Sequence, residues 1–450
     1  MIVSLQLSLP LSWRYRHQQP PPPQVAPILT TLCFLSKQGK RLLSSLATTS
    51  AAGDSSAANR LIRKFVQSSS KFVALNALSH LLSPDSTHPH LSPLAHLFYM
   101  AITEASWFSW NPKLVAELIA LLDKQGQLDK SQILVSETVS KLGFRERVLA
   151  QFYCYLIDSH SKHKSKQGFF DSCTRLKQLL SNSYSVFVKL RAYESMVGGL
   201  CVMDLPREAE GLVGEMRDLG LKPGVFEFRS LVHAYGRLGL FEDMKRSVVQ
   251  MESEGFGIDT VCSNMVLSSF GAYTELSEMV SWLRRMKNSS VPFSARTYNS
   301  VLNSSPTIMS MLQEPKRVPL SVAELTENLH GDDALLVHEL IGSSVLEEAM
   351  EWDSLESKLD MHGMHLGCAY LIMLQWKEEL HSRFHMKDSV IPAEITVVCG
   401  SGKHSTVRGE SPVKSLVKEM MLRMKCPMRI DRKNVGCFVG KGRVVKEWLC

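Results

Sequence analysis

With 450 residues, 44% hydrophobic and 21% charged, the chain is long enough for two or three folded units with ordinary cores, which excludes a wholly disordered polymer. Its formal charge of +7 is concentrated: Lys403 to Lys446 holds twelve Lys and Arg against three acids, a local +9 that leaves the remainder slightly acidic and suits a polyanion, nucleic acid first. Ten cysteines without a Cys-x-x-Cys pair or zinc-finger spacing read as reduced, mostly buried thiols, and no apolar run approaches the roughly 18 residues of a bilayer span, so no membrane insertion is expected.

The first carboxylate is Asp54. Before it stand Arg14, Arg16, Lys37, Lys40 and Arg41, many Ser and Thr, and the run Pro20–Pro23. A basic, hydroxyl-rich, acid-free leader is the composition of an organellar transit peptide, so residues 1–55 are expected to be a disordered targeting segment. Arg41-Leu42-Leu43-Ser44-Ser45 suits mitochondrial processing, whereas the Ala/Ser/Thr-rich stretch to Ala58 suits a plastid. Plastid is the first expectation and mitochondrion the alternative.

Residues 56–185 read as helical, with hairpins at 113–145 and about 150–184 that lack sharp landmarks. From 186 to 305 a period of 35 emerges: Met196, Leu231, Val266, Val301; Val197, Val232, Leu267, Leu302; Tyr193, Phe228, Ser263, Tyr298; Met216, Met251, Met286; and Gly220, Gly255 with Ser290 third. Within 225–259 the apolar residues Phe228, Leu231, Val232 and Tyr235 share one helical face, and Met244, Val248 and Met251 share another. Such a two-helix hairpin cannot bury its apolar face alone, so copies must stack. A fourth copy begins at Ala295 and is expected to break at Ser304-Ser305-Pro306.

These landmarks resemble the pentatricopeptide repeat, with its Met-x-x-x-Gly near the end of each copy (Met216, Gly220) and a terminal Pro (Pro223). The resemblance implies an α-solenoid that reads one RNA base per repeat with two side chains, the polar residue of the first helix and the last residue of the copy. Those places fall on Glu194 with Gly224, Arg229 with Asp259, and Asn264 with Ser294; Asn299 holds the first place in the fourth copy. Single-stranded organellar RNA is the implied partner.

Residues 306–355 form a connector with Pro306, Pro315 and Pro319, then helices whose acids (Asp332, Asp333, Glu339, Glu347, Glu348) read as a solvated face. From 356 to 450 the pattern turns α/β: a short strand Leu359–His362, a helix from Leu366, a buried strand Ile395–Val398, a Gly/Ser-rich loop over 399–410, and a helix with Ser411 as N-cap and Pro412 at its first position. Short strands Met428–Ile430 and Cys437–Val439 and a Gly440-Lys441-Gly442 turn complete a two-layer sandwich of the βαβ type.

Leu359-Asp360-Met361-His362-Gly363-Met364, then Cys399-Gly400-Ser401-Gly402-Lys403-His404-Ser405, then Asn434-Val435-Gly436-Cys437-Phe438 resemble the Smr (small MutS-related) module found fused to plant pentatricopeptide proteins. Cys399 stands where that family's pattern has Thr, and His365 where the plant pattern has Ser. Asp360 and His362, two apart on a strand, would share a face and address one phosphodiester. Gly400 and Gly402 would let backbone amides approach a phosphate, with Lys403 and His404 adding charge. A nucleotide-binding P-loop is rejected, because Val397 and His404 occupy its required Gly and Ser/Thr places. The leading reading is an RNA-processing factor in which Asp360, His362 and His404 catalyse endoribonucleolytic cleavage, drawing on Mg²⁺ or Mn²⁺, with no resident metal-ligand set visible in the sequence. The alternative is RNA binding without cutting, and a third class is a protein scaffold.

Overall fold

The computed structural model describes residues 35–51, 54–181, 183–386, 390–400 and 411–449, and the chain divides into two units, Met1–Ser195 and Met196–Cys450. In the first unit, helices α1 (Lys37–Ala51), α2 (Ser55–Ser68), α3 (Lys71–Leu82), α4 (Ala95–Thr103), α5 (Pro112–Lys124), α6 (Leu128–Leu142), α7 (Glu146–Lys162) and α8 (Lys166–Ser181) precede α9 (Val186–Val202), which runs across the boundary. The hairpins expected at 113–145 and 150–184 are α5 with α6 and α7 with α8.

One expectation fails here. The leader was expected to be disordered through residue 55, yet Leu42, Leu43 and Leu46 are buried on α1, which packs on α2 and α3. Three leucines on one helical face carry enough apolar surface to join a core. The processing motif Arg41–Ser45 therefore lies inside a packed helix, and residues 1–34 of the expected leader lie outside the described residues.

The second unit continues with α10 (Pro206–Asp218), α11 (Val225–Arg237), α12 (Phe241–Ser253), α13 (Thr260–Ala272), α14 (Leu276–Asn288), α15 (Ala295–Leu302) and α16 (Pro306–Met311). The side-chain columns of the 35-residue ladder are buried, while Gly220, Gly255 and Ser290 are exposed turn positions: Leu231, Val232, Val266, Leu267 and Val301 are 0% exposed and Leu302 is 1%. The turns repeat as faithfully. Asp204, Gly239 and Thr274 between the helices of successive copies all have positive φ (65°, 71°, 60°), as do Gly220, Gly255 and Ser290 between copies (70°, 86°, 54°). The backbone thus imposes a left-handed residue even where the sequence supplies none of glycine's freedom. The fourth copy leaves the 35-residue pattern at Ser304-Ser305-Pro306 as expected: α15 ends at Leu302, and Ser305, whose hydroxyl accepts the Ile308 N–H at 3.2 Å, with Pro306 at the first position starts the short α16 instead.

The connector contributes α17 (Val322–Asn328), α18 (Gly331–Leu340) and α19 (Val345–Ala349). Its acids are not simply a solvated face. Glu339, 7% exposed, accepts Arg284 Nε at 2.9 Å and Lys287 Nζ at 2.8 Å, fastening α18 to α14. Burial alone would raise the Glu339 pKa; Lys287 and Arg284 outweigh it and hold the carboxyl below its ordinary value. Asp333 likewise accepts Ser305 Oγ at 2.5 Å and the Thr307 hydroxyl.

The C-terminal part holds β1 (Met350–Trp352), β2 (Glu356–Asp360), α20 (Leu366–His385), β3 (Glu394–Val398), α21 (Pro412–Arg423), β4 (Arg429–Ile430), β5 (Cys437–Lys441) and α22 (Gly442–Leu449). The sheet order is β1-β2-β3-β5-β4; β2 and β3 run parallel and every other pair antiparallel. Edge strand β1 was not foreseen, and the expected Gly440–Gly442 turn is instead the junction where β5 passes directly into α22. α20 is buried almost all round from Gly367 to Trp376, because it packs on α15, α17 and α19 as well as on α21 and α22.

Thr274 and Ser290 hold left-handed backbone at a steric cost of about 1–2 kcal/mol each, partly offset by the lower chain entropy of a non-glycine residue. Thr274→Gly and Ser290→Gly should each raise the urea unfolding midpoint, by an amount equivalent to about 0.5–1 kcal/mol.

Candidate nucleic-acid interface

Each first helix in the second unit begins at an N-cap that is the last residue of the copy before. Asp259 caps α13, its Oδ1 accepting the Cys262 N–H at 2.9 Å, and Ser294 caps α15, accepting the Thr297 N–H at 3.2 Å. The paired positions read from the sequence meet at these caps. Arg229 Nη2 reaches Asp259 Oδ2 at 2.5 Å, and Asn264 Nδ2 donates to Ser294 Oγ at 3.3 Å while its Oδ1 accepts the Thr297 hydroxyl at 2.8 Å. The pairs form, but they are not bare readers. Asn264 is 5% exposed, and the Arg229 charge is matched by Asp259.

Asn299 departs furthest from its expected role. Its Nδ2 donates to the Gly363 carbonyl at 3.0 Å, and its Oδ1 accepts the His365 N–H at 2.8 Å. Asn303, one helical turn on, places Nδ2 2.6 Å from His365 Nδ1. The amide of the last repeat therefore grips the loop that carries the first C-terminal motif. No sequence pattern links residues 299 and 303 to 363 and 365, so this contact was missed; it exists because α20 stacks on α15 as α15 stacks on α13 and α13 on α11. Glycine permits the close approach: a methyl group on Gly367 would stand 2.8 Å from Leu302 Cβ, inside contact distance.

The motif itself differs from the strand reading. β2 ends at Asp360, and His362 lies beyond it in a turn that Gly363 completes at φ +76°. Asp360 and His362 still adjoin, through a hydrogen bond from the His362 N–H to Asp360 Oδ1 at 2.9 Å, which leaves the imidazole exposed. Because β2 and β3 are parallel, with Asp360 opposite Val398, their carboxyl ends deliver this turn and Gly400 to one place. A methyl group on Gly400, at φ +79°, would lie 3.9 Å from the ring atoms Cε1 and Nδ1 of His362. Asp360, His362 and Gly400 are thus brought together; Gly402, Lys403 and His404 lie outside the described residues.

Cys399, at the start of that loop, is 5% exposed, and burial pushes its thiol up to about 12, so it is a neutral packing group. Its carbonyl accepts the Ser411 hydroxyl at 3.2 Å, tying the far end of the loop, where α21 begins, back to β3. Among the described residues no group of three His, Cys, Asp or Glu side chains stands close enough to hold a metal ion.

Cations divide sharply between the repeats and the C-terminal module. In the repeats most are paired, several between neighbouring copies: Arg217 with Glu254 at 3.2 Å, Lys245 with Glu278 at 2.7 Å, Arg246 with Glu210 at 3.0 Å, and Arg285 with Glu252 at 2.7 Å, while Lys222 and Arg296 enter no ion pair among the described residues. Around β4 and β5, Arg429, Arg432, Lys433, Lys441 and Arg443 are exposed, and none enters an ion pair among the described residues. Arg423 is diverted, donating to the Pro315 and Val318 carbonyls at 3.1 and 2.7 Å.

Comparison with known proteins places these features. The PPR repeat pattern matches residues 191–221 and 228–256. A pentatricopeptide repeat-containing protein of Arabidopsis thaliana is 56% identical over 445 residues, covering 99% of this chain and 87% of its own. A second, chloroplastic one from Arabidopsis thaliana is 23% identical over 46% of this chain, and a chloroplastic one from Zea mays is 21% identical over 57%. The chain spans only 40% and 39% of the length of those two. Among solved structures, the maize pentatricopeptide repeat protein PPR10 gives a TM-score of 0.35 at 17% identity, over 86% of this chain and half of that one. PPR10 in complex with an 18-nt psaJ RNA element gives 0.26 at 14%, over 68% of this chain and 46% of that one.

The Gly367–Leu302 contact supplies a test of how the module is held. Gly367→Ala should destabilise the protein by about 1–3 kcal/mol through overpacking at the α15–α20 contact. Hydrogen exchange at Met361–Leu366 should accelerate more than exchange within α11 and α12.

Proposed function

The chain belongs to the pentatricopeptide repeat family, and from that premise we propose that it binds single-stranded RNA in an organelle and acts in transcript processing. The observation that carries the reading is the division of charge. The repeats have matched most of their cations with acids, so they add shape and hydrogen-bonding groups, whereas five exposed cations around β4 and β5 that enter no ion pair among the described residues supply the attraction for phosphate. RNA in complex with PPR10 supports the partner class, and the relatives described as chloroplastic support a plastid over the mitochondrial alternative. A targeting experiment must spare α1: removal of residues 1–34 tests import without deleting Leu42, Leu43 and Leu46 from the core.

A second reading, favoured by Asp360, His362 and Gly400 standing together, is that the C-terminal module is Smr-like and cuts the bound RNA. The His362 ring is the exposed group, and it would take the proton from the adjacent RNA 2′-hydroxyl as that oxygen bonds to phosphorus and the phosphorus–oxygen bond to the leaving 5′-oxygen breaks. Asp360 would orient the turn that carries it, since one carboxylate oxygen already holds the His362 N–H. His404 and Lys403 remain candidates for the proton donor and the phosphate contact. For Mg²⁺ or Mn²⁺ the described residues offer Asp360 as the one carboxylate of this turn, which is not a full ligand set.

Affinity for an oligouridylate of about 16 nucleotides, read by fluorescence anisotropy, should fall with a steep log–log slope as salt rises. The double change Arg432→Ala with Lys441→Ala should weaken binding and shallow that slope by roughly 1.4, from two lost phosphate contacts at about 0.7 each. Salt-insensitive binding, or none, favours a protein scaffold. If the module cuts, His362→Ala should lower the cleavage rate by about 10²–10⁴ with RNA affinity nearly unchanged. Bound RNA left intact by the wild-type protein, with Mg²⁺ or Mn²⁺ present, would leave binding as the whole function.

A further inference from the structure

In two successive copies the fifth residue of the first helix bonds to the cap of the next first helix: Arg229 of α11 to Asp259, and Asn264 of α13 to Ser294. Asn299 is the fifth residue of α15, and its Oδ1 accepts the backbone N–H of His365, which is the N-cap of α20. The three caps share one extended conformation: φ/ψ of −113°/176° at Asp259, −138°/166° at Ser294 and −86°/172° at His365. α20 thus begins where a further repeat would begin, 66 residues after Asn299 in place of the usual 30.

We infer that Asn299 and His365 form a further RNA-base slot, half from the last repeat and half from the C-terminal module. The inference rests on the RNA-binding reading above and names a site within it. Chemistry at the pair suits an RNA base. Asn299 uses one amide hydrogen on Gly363 and one lone pair on His365, leaving a donor and an acceptor over, the complement of a base edge. Asn303 Nδ2 stands 2.6 Å from His365 Nδ1, so Nε2 is the ring nitrogen left to meet a base edge, on an exposed ring. The pair is also more open than its predecessor: Asn264 is buried at 5% exposure, whereas Asn299 is half-buried and His365 exposed.

The slot fixes a register. A base held between Asn299 and His365 would follow the one at Asn264 and Ser294, and its phosphate would lie beside the turn bearing Asp360 and His362. The module then engages the strand at a set distance from the repeats, whether or not it cuts.

The test measures the affinity of the full-length protein for oligouridylate, oligocytidylate, oligoadenylate and oligoguanylate of about 16 nucleotides. His365→Ala keeps the backbone N–H on Asn299, so docking of the module should survive and the melting temperature should hold. Its affinity for the best-bound oligomer should nonetheless fall about three- to tenfold, with the salt slope unchanged. Asn299→Ala should lose a similar factor, and the double variant no more than the worse single one, because either change empties the same slot. Asn264→Ala, in a separate slot, should multiply with His365→Ala. Wild-type affinity in His365→Ala, or losses from Asn299→Ala and His365→Ala that multiply, would overturn the shared slot while leaving RNA binding standing. Failure of the wild-type protein to bind any of the four would overturn the RNA reading itself and the slot with it.

Discussion

A pair of amphipathic helices has one apolar face too many, and the second unit is organised by that surplus. The first helices stack in file, α11 on α13 and α13 on α15, each covering the face its predecessor exposes. The file must end on something. Here it ends on α20, whose buried run from Gly367 to Trp376 faces the last repeat as well as the helices of its own module. The residue that allows this is small: Gly367 lets α20 approach Leu302, as Gly236 admits Ser269 and Gly271 admits Ser304 between earlier copies. Capping the stack and seating the C-terminal module are therefore one event. Seating the module also places the Asp360–His365 turn against Asn299 and Asn303.

The repeats were legible because period and burial coincide. A residue recurring every 35 positions returns to the same environment, so Leu231, Val266 and Val301 could be assigned to the core without knowing any contact. The helix at Pro412 was legible for a local reason, its Ser411 cap, which accepts the Lys414 N–H at 3.3 Å. What escaped was long-range. The α1 leucines carried a helical pattern, but an acid-free composition outweighed it. Ser305 and Pro306 read correctly as the point where the repeat breaks, but not as the start of α16. Glu339 read as a solvated acid because Arg284 and Lys287, more than fifty positions away, left no trace beside it. Asn299 was found by period, but its partner could not be, since His365 follows the connector and two strands.

Charge follows the same division of labour. Ion pairs between neighbouring copies, as between Arg285 and Glu252, contribute little stability singly, about 0–1 kcal/mol each, but they remove free cations from the repeat surface. The uncompensated field lies instead around β4 and β5. Long-range attraction thus sits at one end of the stack and hydrogen-bonding pairs along it, with the turn of Asp360 and His362 between them. On the proposed function, such an arrangement would draw in a strand by its phosphates and set its position by its bases.

The central claim is that repeats and module present one RNA track. Ultraviolet crosslinking of the full-length protein to a 4-thiouridine-substituted oligomer, with crosslinked peptides identified by mass spectrometry, tests it most directly. The account predicts crosslinks in the first turns of α13 and α15, in Asp360–His365, and around Arg432–Arg443, all competed away by one unlabelled RNA at the same concentration. Crosslinks confined to the repeats or to the module, or competed away at different concentrations, would contradict it.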